Sequence, residues 1–231
     1  LIRSVTGTSL IEYPGKICSI IFISGCNLHC PFCHNPELVR PDLLEDETSI
    51  SHSRVLEILG KRAGFVEAVS VTGGEPLLYR DLGELLRAIR EETRLSVKLD
   101  TNGTLPGKLA ELLPLVDFVA MDLKSSPSGY PEATGGGAVF ADIVESAAIV
   151  RSLPAYEFRT TMVPGLVDGE GITESLRKIG KVRRFVLQTF HSRKTLSREY
   201  MGKPAYPKNY LEDTAGAIKE AGLAEEVEIR P

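Results

Sequence analysis

The stretch Lys16-Ile-Cys-Ser-Ile-Ile-Phe-Ile-Ser24, followed at once by Gly25-Cys-Asn-Leu-His-Cys-Pro-Phe-Cys-His34, sets the reading of this chain. Its first part is an apolar, β-rich run with the length of a buried strand. Its second part puts Cys26, Cys30 and Cys33 just beyond the carboxyl end of that strand, spaced C-x3-C-x2-C. A strand that hands directly to a cysteine loop is the first unit of a pattern that continues to the end of the chain.

Helical stripes alternate with further strand-like runs. Ser53–Arg62 reads as a helix, Ala68–Thr72 as a strand, and Asp81–Glu92 as a helix with Leu82, Leu85, Leu86 and Ile89 on one stripe. Leu95–Asp100 is a strand, Leu105–Leu113 a helix, and Phe118–Leu123 a strand. Phe140–Leu153 is a helix with Phe140, Ile143, Val144 and Ala147 inward, and Glu157–Val163 is a strand. Thr173–Lys178 is a short helix, Arg184–Thr189 a strand, and Tyr210–Ala221 a helix before a last short strand near Val227. Strands alternating with helices imply a parallel sheet with right-handed crossovers. A complete eight-unit barrel takes about 250 residues. The 231 residues here, with roughly six βα units, fit a single α/β domain over 1–231. An open sheet would also fit, but the long loops after several strands favour a partial (β/α)6 TIM-like barrel.

In either architecture ligands bind at the carboxyl ends of parallel strands. Those ends are Gly25-Cys26, Thr72-Gly-Gly-Glu-Pro76, Asp100-Thr-Asn-Gly103, Asp122-Leu-Lys124, Pro164-Gly165 and Phe190-His191. The cysteines fall at the first of them, and polar or glycine-rich segments fall at the rest.

Composition narrows the classes. Net charge is −4, and the densest basic tract is only Lys181-Val-Arg-Arg184, which argues against a nucleic-acid partner. Ile17–Ile23 is far too short to span a bilayer. Ile23-Ser-Gly-Cys26 resembles a lipoprotein cleavage site, but Glu12 and Pro14 stand where a basic leader belongs. The expected location is therefore the cytoplasm, where closely spaced cysteines signal metal or redox chemistry.

Thiolates are soft ligands that suit zinc or iron–sulfur clusters. A closed four-iron cluster wants four cysteines. Cys18, the remaining one, lies about 26 Å back along an extended strand and reads as a small core residue. Three thiolates thus leave one iron open to a ligand that is not protein. The rival is a non-catalytic zinc module using the three cysteines with His34 or His29, although zinc sites usually draw ligands from two separated knuckles. Gly73-Gly-Glu-Pro76 reads as a tight turn or as a close backbone approach to a ligand, with Glu75 able to accept from an ammonium. Leu99-Asp-Thr-Asn-Gly103 reads locally as an Asx-type turn. Arg159, inside a strand, requires an anionic partner, internal or bound, unless it is displayed at the surface.

Cys26-x3-Cys30-x-Phe32-Cys33 resembles the signature of the radical S-adenosylmethionine (SAM) superfamily, and further motifs follow in that superfamily's order along nearly the whole chain. The resemblance implies a [4Fe-4S] cluster on Cys26, Cys30 and Cys33, its fourth iron chelated by SAM, with Phe32 beside the adenine. It implies that Gly73, Gly74 and Glu75 bind the methionine amino group. The DTNG and DLK motifs resemble those of glycyl radical enzyme activating enzymes. By that resemblance Asp100 and Asp122 hold a monovalent cation at the SAM carboxylate, where Ala120 replaces a relative's methionine. Lys124 neutralises the same carboxylate, and Asn102, Arg159 and His191 join the SAM contacts.

Cys33-His-Asn-Pro-Glu-Leu38 strengthens the likeness to activating enzymes. Leu187-Gln-Thr-Phe-His-Ser-Arg-Lys-Thr-Leu196 is most similar to the subgroup serving anaerobic ribonucleoside-triphosphate reductase, with pyruvate formate-lyase activating enzymes as near relatives. The implied activity is reductive cleavage of SAM to a 5′-deoxyadenosyl radical that takes hydrogen from a backbone glycine of a glycyl radical enzyme. No further cysteine-rich insertion is present, so a flavodoxin or ferredoxin is the expected electron donor. The polar segment from Ser125–Pro131 to Gly135–Gly137 is expected to border the entrance for the partner's loop. A radical SAM enzyme acting on a small molecule or peptide is the alternative.

Overall fold

The apolar runs and helical stripes become strands and helices in the order that the alternation requires. The structure, a computed structural model, describes residues 1–39 and 49–231. The described strands are β1 (Ile2–Tyr13), β2 (Lys16–Ile23), β3 (Ala68–Gly73), β4 (Ser96–Thr101), β5 (Phe118–Asp122), β6 (Tyr156–Met162), β7 (Val182–Thr189) and β8 (Ala224–Arg230). Between them lie α1 (Pro36–Val39), α2 (His52–Gly60), α3 (Leu82–Thr93), α4 (Pro106–Leu112), α5 (Tyr130–Thr134), α6 (Phe140–Arg151), α7 (Gly169–Ile179) and α8 (Lys208–Glu220). Strand order in the sheet follows chain order from β1 to β8.

The chain divides into two compact units: residues 1–27, 37–101 and 107–119 in one, 28–36, 102–106 and 120–231 in the other. In the first, β2 pairs with β3 and β3 with β4, both parallel, in the register Ile20↔Ser70↔Lys98. Val69, Val71, Val97 and Leu99 of these strands are buried, as are Leu85, Leu86 and Ile89 of α3. In the second, β6, β7 and β8 pair in parallel, with Phe158↔Phe185↔Val227 in register. Phe158 and Phe185 are fully buried there, together with Ile143 of α6, Leu176 of α7 and Ile218 of α8.

Three departures from the sequence reading stand out. β1 had no counterpart in that reading; it runs antiparallel to β2, with Ile2 opposite Ile23 and Tyr13 opposite Lys16. Gly7 weakens its strand signal, yet a Cβ there would lie 2.3 Å from the Arg62 guanidinium. The helix expected at Thr173–Lys178 starts earlier, at Gly169, because the Asp168 side chain caps it by accepting from Gly171 N–H at 2.8 Å. The segment 125–137, expected to border the entrance for a partner's loop, contains α5, whose Tyr130 is completely buried.

Candidate functional site

In the first unit, the strand that leads into the cysteines and the Gly-Gly-Glu-Pro turn are joined through backbone. Gly74 N–H donates to the Ile23 carbonyl at 2.9 Å, and Glu75 N–H to the Gly25 carbonyl at 2.8 Å. A Cβ on Gly73 would stand 2.0 Å from the Ile23 carbonyl oxygen, and one on Gly74 2.2 Å from that of Gly25. Glycine is therefore required for the end of β3 to lie against the start of the cysteine loop. The Glu75 side chain is fully buried. Its Oε1 accepts from Leu77 N–H and from the Thr101 hydroxyl, each at 3.0 Å, so a residue at the end of β4 fixes the carboxylate.

β4 alternates by two, so Ser96, Lys98 and Asp100 share one face of the strand. Lys98 is 1% exposed, and its ammonium donates to Asp100 Oδ1. Ser70, the register partner of Lys98 on β3, buries its hydroxyl with no hydrogen-bond partner among the described residues. Cys18 is completely buried at the base of β2, and burial pushes its thiol up to about 11. It is a core residue, as the sequence suggested.

In the second unit Cys30 and Cys33 form one turn, with Cys33 N–H donating to the Cys30 carbonyl at 3.0 Å. The loop is held on two sides. His29 N–H donates to the Thr134 carbonyl of α5, and Ser197 N–H donates to the Pro31 carbonyl, each at 2.9 Å. Phe32 is buried at 6% exposure.

Asp122, at the end of β5, accepts from Lys124 Nζ through Oδ2 and from Arg159 Nε through Oδ1, both at 2.9 Å. Burial alone would raise the Asp122 carboxyl, but Arg159 and Lys124 overcome it and hold the group below the usual carboxylate range. Burial likewise works against the Lys124 ammonium, and the charges of Asp122 and Cys30 outweigh it and raise its pKa. Cys33 acts on Lys124 in the same sense, so this lysine lies within the field of two of the three loop thiols. Tyr130 seats the motif by accepting from Lys124 N–H at 3.1 Å; burial raises its phenol strongly.

Arg159 thus has an internal anionic partner in Asp122, one of the three readings its strand position allowed. Asn102 accepts from Thr104 N–H at 3.0 Å and from the Thr104 hydroxyl at 2.6 Å, which is the Asx-type turn. His191 is exposed, just past the end of β7. Lys98, Thr101 and Tyr130 were not singled out from the sequence. The alternation of β4 carried a signal for Lys98, whereas the contacts of Thr101 and Tyr130 cross between elements. Among the described residues no three His, Cys, Asp or Glu side chains are gathered to hold one metal ion. The choice of metal group therefore rests on the thiol spacing and on kinship.

Kinship is decided by the model of the Radical SAM superfamily, which matches residues 20–179. The chain belongs to the radical SAM superfamily. Membership makes it an enzyme and implies a [4Fe-4S] cluster and SAM as its cofactors. The residues present fit those groups: a C-x3-C-x2-C donor set is available, and the Lys124 ammonium stands by to offset thiolate charge.

A putative glycyl-radical enzyme activating enzyme of Methanocaldococcus jannaschii is 28% identical over 227 residues, covering 95% of this chain and 92% of that protein. A pyruvate formate-lyase-activating enzyme of Clostridium pasteurianum is 28% identical over 187 residues, covering 78% of this chain and 75% of that one. The crystal structure of Streptococcus suis SuiB bound to the precursor peptide SuiA superposes with a TM-score of 0.70 at 18% identity, over 92% of this chain and 48% of SuiB. At that identity the likeness concerns fold. It is the α/β radical SAM fold of the partial-barrel class expected from the alternation, reached here with β1 as an added antiparallel strand.

Proposed function

We propose that this radical SAM protein activates a glycyl radical enzyme, with anaerobic ribonucleoside-triphosphate reductase as the partner. The observation that carries the activase reading is similarity along nearly the whole of an activating enzyme from Methanocaldococcus jannaschii, at matched length. The DTNG and DLK motifs at the ends of β4 and β5 and the segment Leu187–Leu196 support the narrower choice.

Bound together, cluster and SAM supply reductive cleavage to a 5′-deoxyadenosyl radical. The protein's work is to bind, orient and exclude solvent. In this reading Cys26, Cys30 and Cys33 hold the cluster. Gly73, Gly74 and Glu75 present the turn that receives the SAM amino group, with Thr101 fixing Glu75. Phe32 and His191 flank the adenosine, while Asn102, Lys124 and Arg159 complete the SAM contacts. Lys124 and Arg159 bring two cationic groups to the end of β5, which suits an anionic carboxylate. The 231 residues act as one radical SAM domain in the cytoplasm, and a flavodoxin or ferredoxin delivers the electron. Among the described residues no helix is long and apolar enough to cross a membrane.

The test is anaerobic reconstitution followed by dithionite reduction with SAM. The expected products are 5′-deoxyadenosine and, with the reductase added, a glycyl radical seen by EPR; Cys30→Ala abolishes both. A glycyl radical on pyruvate formate-lyase in place of the reductase moves the partner assignment. SAM cleavage without a radical on either enzyme supports a small-molecule or peptide substrate.

A further inference from the structure

Asp100 invites a monovalent cation by its motif, yet the structure gives it a different counter-charge. Lys98 lies two residues earlier on the same face of β4, and its ammonium donates directly to Asp100 Oδ1. The side chains are 1% and 9% exposed, so both charges sit out of reach of bulk water. An ammonium held this way cannot be exchanged for a hydrated ion without leaving a buried cation unpaired, which is strongly unfavourable. Adding a metal cation beside it would set two like charges together. The flanking β3 positions on this face, Ser70 and Thr72, add no negative charge that a second cation would balance. The neighbouring carboxylate, Glu75, is held by Leu77 and Thr101.

We infer that Lys98 is a tethered counter-cation that takes the place of an exogenous monovalent cation at Asp100. SAM binding is consequently independent of potassium. The inference builds on the SAM reading above and assigns Lys98 as a positioning residue that keeps Asp100 neutralised and oriented.

The experiment compares wild type with Lys98→Met, both anaerobically reconstituted, in potassium chloride and in tetramethylammonium chloride at equal ionic strength. For wild type, SAM affinity by calorimetry is the same in both salts. For Lys98→Met, affinity rises about tenfold in potassium over tetramethylammonium. Thallium, a spectroscopic stand-in for potassium, binds Lys98→Met but not wild type in ²⁰⁵Tl NMR titrations, and potassium raises the melting midpoint of the variant alone. Wild-type affinity that depends tenfold on potassium, or saturable thallium binding to wild type that Asp100→Asn removes, overturns the inference. Failure of Lys98→Met to fold leaves the wild-type thallium and affinity measurements to decide. Absence of SAM binding in either salt would sink the SAM reading, while thallium binding would still report on Lys98.

Discussion

Asp100 and Asp122 stand at corresponding points of the chain, the carboxyl ends of β4 and β5, and the protein neutralises them in different ways. Asp100 is 9% exposed and meets the Lys98 ammonium of its own strand. Asp122 is 24% exposed and meets two cations, Lys124 from the loop that follows and Arg159 from β6. The first arrangement sets a carboxylate and an ammonium of one strand together in the core. The second gathers two cations about one carboxylate at a less buried position. The more deeply buried pair serves as scaffold, whereas the less buried group, with its two cations, is suited to meet an anion.

That contrast should be largest in stability. Lys98→Ala strands a buried carboxylate and is expected to cost about 3–5 kcal/mol in potassium-free urea denaturation. Lys124→Ala, at a partly exposed site where Arg159 still serves Asp122, is expected to cost about 1 kcal/mol. Equal costs would erase the distinction between scaffold and receptor. Asp122→Asn comes next, at about 1–3 kcal/mol, since both cations lose their charged acceptor. Its sign with pH follows from the depressed pKa. The wild-type contribution is complete above the ordinary carboxylate range and is lost as pH falls through the lower folded value. Acid titration should therefore narrow the gap between wild type and Asp122→Asn.

A smaller effect probes the base of the same strand layer as Lys98. The Cys18 thiol is raised from 9.0 to about 11, so the unfolded chain ionises first. Stability attributable to Cys18 is full below pH 9.0 and declines as pH rises toward about 11. The slope is at most about 1.4 kcal/mol per pH unit. Cys18→Val should remove that component of the alkaline loss, read as the difference between the two proteins' denaturation curves. An unchanged alkaline curve would mean that Cys18 ionises as readily folded as unfolded.

Much of this was readable in advance because strands and helices write their periods directly into sequence. The run Leu95–Asp100 marked β4, and the stripe of Leu82, Leu85, Leu86 and Ile89 marked α3. The cysteine loop was legible because its ligands are local. What stayed hidden was long-range. Arg159 finds Asp122 across 37 residues, and Thr101 reaches Glu75 across 26. No local pattern encodes either contact. Gly73 and Gly74 were recognised as backbone-approach residues, but only the fold reveals that the neighbouring backbone is that of Ile23 and Gly25. β1 was missed because its apolar positions are diluted by threonine, serine and Gly7.

That first strand has a consequence of its own. It stands at the end of the sheet order, runs for 12 residues and leaves Leu10 and Ile11 exposed. Such an edge is an open template on which a second chain can add a strand and begin a fibre. Its pairing with β2, however, slips register three times, between Ile2 and Ser4, Thr6 and Ser9, and Ser9 and Tyr13. Each slip bends and twists the ribbon, so no long flat run of amides is offered to a neighbour. The irregularity of β1, together with Ile50 N–H already donating to the Ile2 carbonyl, works against addition of a further strand along this edge.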